Sequence, residues 1–258
     1  MFYKITSFLS FLFKSRNKHS VHSPFVFNLI TKCFHKKAPI ANLNIFLNYK
    51  KELSLNTSIL KVTDFGAGSR VFSSNKREVS KIAKHAGISN KRARLLINLI
   101  HYFKPENILE IGTSLGLSTA ALASSNKKSK ITTLEGCKET ASIAKNMFEK
   151  YHFNNVTLLT GSFNTTLPKI FKNTIYNFIY FDGNHTRKAT LEYFESSLSS
   201  INNNSVLLFD DIHWNKEMEL AWEDIKNHSQ VTVTIDTYQW GFVFFRKEQQ
   251  KEHFTIRI

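Results

Sequence analysis

The stretch Glu110-Ile111-Gly112-Thr113-Ser114-Leu115-Gly116-Leu117-Ser118-Thr119 decides the fold. It begins inside Ile108-Leu109-Glu110-Ile111, a short apolar run that reads as a buried strand, and it leads into residues 116–125, which read as a helix. Gly112 and Gly116 let the backbone come close to a ligand. Thr113 and Ser114 stand where a helix start can hold a carboxylate. The glycine spacing is G-x-x-x-G, not the G-x-G-x-x-G that brings a pyrophosphate to a helix N-terminus, and this disfavours a nicotinamide enzyme.

Downstream, strands alternate with helices. Residues 130–135, 156–159, 176–181 and 206–209 read as strands, 176–181 being very apolar; 138–151, 186–198 and 216–228 read as helices. Residues 231–235 and 241–246 close the chain as a hairpin. This order predicts an α/β protein with a mostly parallel, seven-stranded sheet, helices on both faces and an antiparallel strand at the edge. Upstream, Ala93, Leu96, Ile97 and Ile100 repeat at helical spacing over 90–103, and Pro105 ends that helix. Residues 75–86 also read as a helix. Residues 1–60 hold Phe-rich and Lys-rich helical pieces, one of them capped by Ser23 with Pro24 in its first turn.

In such a sheet the ligand lies beyond the carboxyl ends of the strands. Each of the five parallel strands ends on polar or glycine residues: Glu110-Ile111-Gly112, Glu135-Gly136, Gly161-Ser162, Asp182-Gly183 and Asp210-Asp211. Glu135, at the end of the second strand, is placed to accept hydrogen bonds from both hydroxyls of a ribose. Alone it reads equally well as a solvated turn residue. Together with the glycine turn on the neighbouring strand, the nucleoside reading leads.

Composition bounds the rest. The chain has 258 residues, 42% of them hydrophobic, enough for a sizeable core, and 21% charged, which excludes wholesale disorder. The formal net charge of +15 favours anionic partners, yet the lysines are scattered, and a compositional bias is the plainer explanation. Cys33 and Cys137, with no CxxC, argue against a disulfide framework or a zinc ribbon and suit a reducing, cytoplasmic setting. Residues 1–13 are apolar, with Lys14, Arg16 and Lys18 following, but no run reaches the length of a membrane span. A basic amphipathic helix on a membrane surface and a helix packed on the domain both fit, the second being the plainer reading.

Residues 110–119, Thr133-Leu134-Glu135-Gly136, Gly161-Ser162-Phe163, Phe181-Asp182-Gly183-Asn184-His185 and Phe209-Asp210-Asp211 resemble class I S-adenosylmethionine-dependent methyltransferases, the catechol O-methyltransferase-like branch above all. The resemblance spans roughly 78–246, and with Val21-His22-Ser23-Pro24-Phe25-Val26-Phe27 the pattern is similar to that of uncharacterised bacterial relatives of that branch. It implies a Rossmann-like class I methyltransferase fold, a helical lid segment over 1–77 and a cofactor-binding domain over 78–258.

The resemblance also implies roles. Glu110 and the Gly112, Thr113, Ser114 and Gly116 turn would hold the methionine end of the cofactor. Glu135 and Gly136 would hold the ribose, Ser162 and Phe163 would border the adenine, and Asp182 would face the reacting centre. Many relatives carry Asp where Ser162 stands. In the catechol-type enzymes, an Asp at the position of Asp182 and an Asp-Asn pair at the positions of Asp210 and Asp211 bind Mg2+, so that Asp211 here replaces the Asn. A metal there would orient an acceptor hydroxyl and lower its pKa. His185 replaces the lysine base of that branch, and a neutral imidazole suits the task near pH 7. His213 is a second candidate, and His22 and Trp214 read equally as pocket wall or packing.

The loop Asp64-Phe65-Gly66-Ala67-Gly68-Ser69-Arg70 carries its own G-x-G without a flanking strand and helix. It reads as a lid over the acceptor, with Arg70 or Arg77 meeting an anion, or more blandly as a glycine turn. The expected function is O-methylation of a small-molecule acceptor using S-adenosylmethionine, with Mg2+ assistance as an option. A nucleic-acid methyltransferase is the alternative drawn from the charge, against which stands Asp182-Gly183-Asn184-His185 in place of an N-P-P-Y or D-P-P-Y tetrapeptide. A non-catalytic cofactor-binding protein is a further alternative, and the terminal strands could serve a homodimer.

Overall fold

A computed structural model describes residues 2–17, 21–66, 68, 72 and 74–258. The helices are α1 (Phe2–Lys14), α2 (Pro24–Leu29, running on through a π turn at Ile30–Phe34), α3 (Ile40–Leu55), α4 (Val79–His85), α5 (Asn90–Phe103), α6 (Leu117–Ser125), α7 (Lys138–Lys150), α8 (Phe163–Phe171), α9 (Arg187–Ser197) and α10 (Lys216–Asn227). The strands are β1 (Ile59–Lys61), β2 (Lys76–Glu78), β3 (Asn107–Ile111), β4 (Lys130–Glu135), β5 (Val156–Thr160), β6 (Phe178–Phe181), β7 (Val206–Asp210), β8 (Val233–Asp236), β9 (Trp240–Phe244) and β10 (Glu252–Thr255).

The main sheet has eight strands in the order β10-β8-β9-β7-β6-β3-β4-β5. It is mostly parallel, with β9 antiparallel to both β7 and β8. This is the Rossmann-like fold of class I methyltransferases. The sequence led to seven strands; the eighth, β10, pairs in parallel with β8 and buries Phe254, with Ile256 buried just beyond its end. Two further differences are local. Residues 75–86 divide into β2, antiparallel to β1, and α4. Helix α8 was not expected, because Pro168 lies inside it.

The chain divides into two compact units, Met1–His35 with Leu167–Ile258, and Lys36–Thr166. In the second unit, α3, α5 and α6 pack on one another. The stripe read from the sequence, Ala93, Leu96, Ile97 and Ile100, is fully buried there. Ser89 caps α5, its side chain accepting the N–H of Arg92 at 3.2 Å. In the first unit, β6 and β7 are buried throughout, as continuous apolar runs in a parallel sheet must be. Ser23 caps α2 and Pro24 opens it, as expected. No described helix is long and apolar enough to cross a membrane. Arg70 lies outside the described residues.

Candidate active site

Parallel pairing places the ends of β3, β4 and β5 side by side in the Lys36–Thr166 unit, with Glu110 opposite Thr133 and Glu135 opposite Thr160. The register explains the first contact: the Thr133 hydroxyl donates to Glu110 Oε2 at 2.6 Å, and Thr119 from α6 donates to the same oxygen at 2.5 Å. Glu110 is wholly buried, and its Oε1 has no partner. Burial raises the Glu110 pKa to about 7, against the pull of the hydroxyls around it. A buried carboxylate oxygen without a donor is costly, and a ligand ammonium group would satisfy it.

The turn after β3 is held from beneath. The N–H groups of Gly112 and Thr113 both donate to the Leu134 carbonyl at 3.0 Å. Gly112 takes φ 107° and Ser114 φ 49°, left-handed conformations that a side chain resists. The Thr113 hydroxyl is buried against that of Thr133 at 2.5 Å. Gly116 serves packing: a Cβ there would stand 2.5 Å from the Phe148 ring and 2.6 Å from the Tyr49 hydroxyl. Tyr49 in turn donates to the Leu115 carbonyl at 2.8 Å.

Glu135 Oε2 accepts the N–H of Ser114 at 2.6 Å, and its Oε1 accepts the N–H of Cys137 at 2.9 Å. Burial raises its pKa, and these backbone donors oppose the rise. Each oxygen keeps a second lone pair for a hydroxyl donor. Beside it, Gly136 lies under the ring of Phe65: a Cβ on Gly136 would meet that ring at 2.8 Å. The segment is anchored there by Thr63, whose N–H donates to Cys137 Sγ at 3.4 Å, and by the pair of Arg77 with Asp64 at 3.3 Å. Gly161 donates to the Glu135 carbonyl at 2.9 Å, so the end of β5 follows β4. Ser162 is exposed and directly precedes α8, which Phe163 opens half-buried.

The other unit carries the remaining expected residues. Asp182 follows β6, and His185 Nε2 lies 3.8 Å from its Oδ1. Between them Asn184 takes φ 59° and donates from Nδ2 to the Tyr193 hydroxyl at 3.2 Å. Thr186 caps α9. These contacts fix the turn that presents His185. Asp210 ends β7 buried; its Oδ2 accepts from the Tyr180 hydroxyl at 3.2 Å and its Oδ1 from the Asp211 N–H at 2.8 Å. Among the described residues no group of three or more His, Cys, Asp or Glu side chains could hold a metal ion. Tyr180 and the Asp211 N–H hold the Asp210 carboxylate in place, and Asp182, Asp210 and Asp211 are not gathered into such a group.

His213 is tied down. Its Nε2 meets Asp236 at 2.8 Å, its Nδ1 meets Glu219 at 3.1 Å, and Tyr238 stacks on its ring. Burial works against charge on this imidazole, but the Asp236 hydrogen bond and the charges of Asp236 and Glu219 outweigh it and raise its pKa. A charged imidazole with both nitrogens engaged is a poor base, so His185 is the better candidate. Trp214 lies under the Lys4 ammonium group, 3.8 Å from its ring centre, and His22 is exposed. Sequence reasoning missed Thr133, Tyr49 and the seat of Phe65, which no local periodicity marks.

Residues 109–212 match a family model described as a methyltransferase domain. No curated protein matches the chain. Among solved structures, the Podospora anserina methyltransferase PaMTH1, bound to S-adenosylhomocysteine, is 15% identical, with a TM-score of 0.61 over 86% of this chain and 94% of that one. A putative O-methyltransferase from Klebsiella pneumoniae is 16% identical, with a TM-score of 0.57 over 86% and 96%. An O-methyltransferase from Bacillus cereus, in complex with S-adenosylhomocysteine, is 20% identical, with a TM-score of 0.55 over 79% and 90%. At these identities the likeness is one of fold.

Proposed function

We propose that the chain transfers the methyl group of S-adenosylmethionine to an oxygen of a small-molecule acceptor. One observation carries the reading: Glu110 and Glu135, buried at the ends of adjacent strands, offer an unpartnered carboxylate oxygen and a carboxylate oriented by two backbone N–H groups. An ammonium group suits the first and a ribose diol the second. The product bound in the Podospora anserina and Bacillus cereus structures supports this assignment.

When bound, the sulfonium supplies an electrophilic methyl group that an acceptor oxygen displaces in line, the C–S electron pair staying on sulfur. The chain's own groups do the rest. Glu110 accepts hydrogen bonds from the amino group, with the Gly112–Ser114 turn beside it. Glu135 accepts from the ribose hydroxyls, with Gly136 letting the nucleoside come close. Ser162 and Phe163 border the base. His185 takes the acceptor's hydroxyl proton on Nε2, with Asp182 3.8 Å away in the same turn. Phe65, in the N-terminal segment read as a lid, lies on Gly136, next to Glu135.

His185→Ala tests the base. With radiolabelled methyl donor and a panel of hydroxylated acceptors, kcat should fall by a factor of about a hundred or more, while affinity for S-adenosylhomocysteine stays as in the parent. Unchanged kcat at saturating acceptor would remove His185 from the reaction.

A further inference from the structure

Helix α1 is apolar on two faces, and among the described residues one of them packs on its own unit. Tyr3, Ser7 and Phe11 share the face that meets its own unit. The Tyr3 hydroxyl donates to Glu219 at 2.7 Å, Ser7 lies 3.3 Å from His213 Nδ1, and the Tyr238 hydroxyl donates to the Lys4 carbonyl at 3.0 Å. The rings of Phe8 and Phe11 both pack against Tyr238. The helix is thus fixed in rotation about its axis. Ile5, Leu9, Leu12 and Phe13 follow one another at helical spacing on the opposite side. Of these, Ile5 is 53%, Leu9 48% and Phe13 89% exposed, and Phe8 at the edge of the row is 43% exposed.

A contiguous apolar face of this kind on a docked helix marks an interaction surface. Charge decides what meets it. Helix α1 has no acidic residue, Lys14 closes its last turn and exposed Arg16 follows. The net charge of the whole chain, +15, adds to the attraction of this end of the molecule for a negatively charged surface. We propose that α1 seats the protein on an anionic lipid bilayer, with Ile5, Leu9 and Phe13 entering the boundary between headgroups and acyl chains and exposed Arg16, just past the helix, meeting lipid phosphates. The attachment is peripheral and places a methyltransferase where acceptors dissolved in the membrane surface can reach it.

The test is sedimentation of the full-length protein with vesicles of phosphatidylglycerol and phosphatidylcholine, compared with phosphatidylcholine alone. The protein should pellet with the anionic vesicles, and less so as salt is raised. Leu9→Ser with Phe13→Ser should weaken partitioning by roughly tenfold or more, and Lys14→Glu with Arg16→Glu should also weaken it. All four positions are exposed, so the melting temperature should not move. Absence of pelleting, or equal pelleting by the Leu9→Ser/Phe13→Ser variant, would overturn the proposal. So would a dimer, seen by light scattering, that the same pair of substitutions dissolves.

Discussion

The Glu135 carboxylate accepts the backbone N–H of Ser114 at 2.6 Å, so the turn after β3 and the end of β4 hold each other in place. Replacing Glu135 affects both the ribose contact and the turn. Glu135→Gln places an amide where two N–H groups need acceptors, and Glu135→Ala leaves both unmet. Dissociation constants for S-adenosylhomocysteine should rise about tenfold to a hundredfold for each variant, as loss of hydrogen bonds to a charged group requires. A parent-like constant for Glu135→Ala would contradict the assignment.

Glu110 couples binding to protons. Burial raises its pKa to about 7, so below that pH the unliganded protein holds it neutral. A ligand ammonium group favours the carboxylate and expels the proton. Binding of S-adenosylhomocysteine near pH 6 should therefore release protons, and affinity should rise as pH passes through about 7. Titration calorimetry in buffers of different ionisation enthalpy measures the release. Glu110→Gln should abolish it; an identical release from that variant would assign the proton elsewhere.

Phe65 and Gly136 make a steric pair. A methyl group on Gly136 would enter the Phe65 ring, which stands at the end of a largely exposed side chain and can swing away. Gly136→Ala should cost little stability, under about 1 kcal/mol. It should weaken S-adenosylhomocysteine binding by displacing Phe65 and narrowing the approach to Glu135. Phe65→Ala combined with Gly136→Ala should recover stability but not affinity. Full affinity in Gly136→Ala would show that neither residue borders the ligand.

His213 makes stability depend on pH. Its pKa is raised in the fold despite burial, because Asp236 and Glu219 hold the charged form. Such a group stabilises fully below the ordinary imidazole value of about 6.5, and its contribution disappears as pH rises through the higher folded value. Melting temperature should therefore decline from pH 6 into mildly alkaline solution. His213→Gln should melt earlier at pH 6 and show a shallower decline. Subtracting the two curves separates His213 from Glu110, whose raised pKa also lowers stability as pH climbs towards about 7. Parallel curves would contradict the role given to His213.

The main fold was legible because β3 to β7 are short apolar runs, each ending on glycine or a carboxylate. The same punctuation exposed Glu110 and Glu135. Helix α8 was hidden by Pro168, which ordinarily breaks a helix, and β10 by its exposed, charged beginning at Glu252 and His253. The metal set read from Asp182, Asp210 and Asp211 is not gathered into a cluster among the described residues, since strand-end position says nothing about what else a carboxylate bonds. Tyr180 and the Asp211 N–H engage Asp210 from within the fold. His213 likewise looked like a base until Asp236 and Glu219, distant in sequence, proved to flank it.

The central claim is that Glu110, Glu135 and the turn between β3 and α6 form a cradle for an adenosyl amino acid. Calorimetric titration of the purified protein with S-adenosylhomocysteine tests it most directly. The account predicts saturable heat at one site per chain and a rise in melting temperature, both weakened by Glu135→Ala. No heat and no thermal shift at millimolar ligand would contradict it.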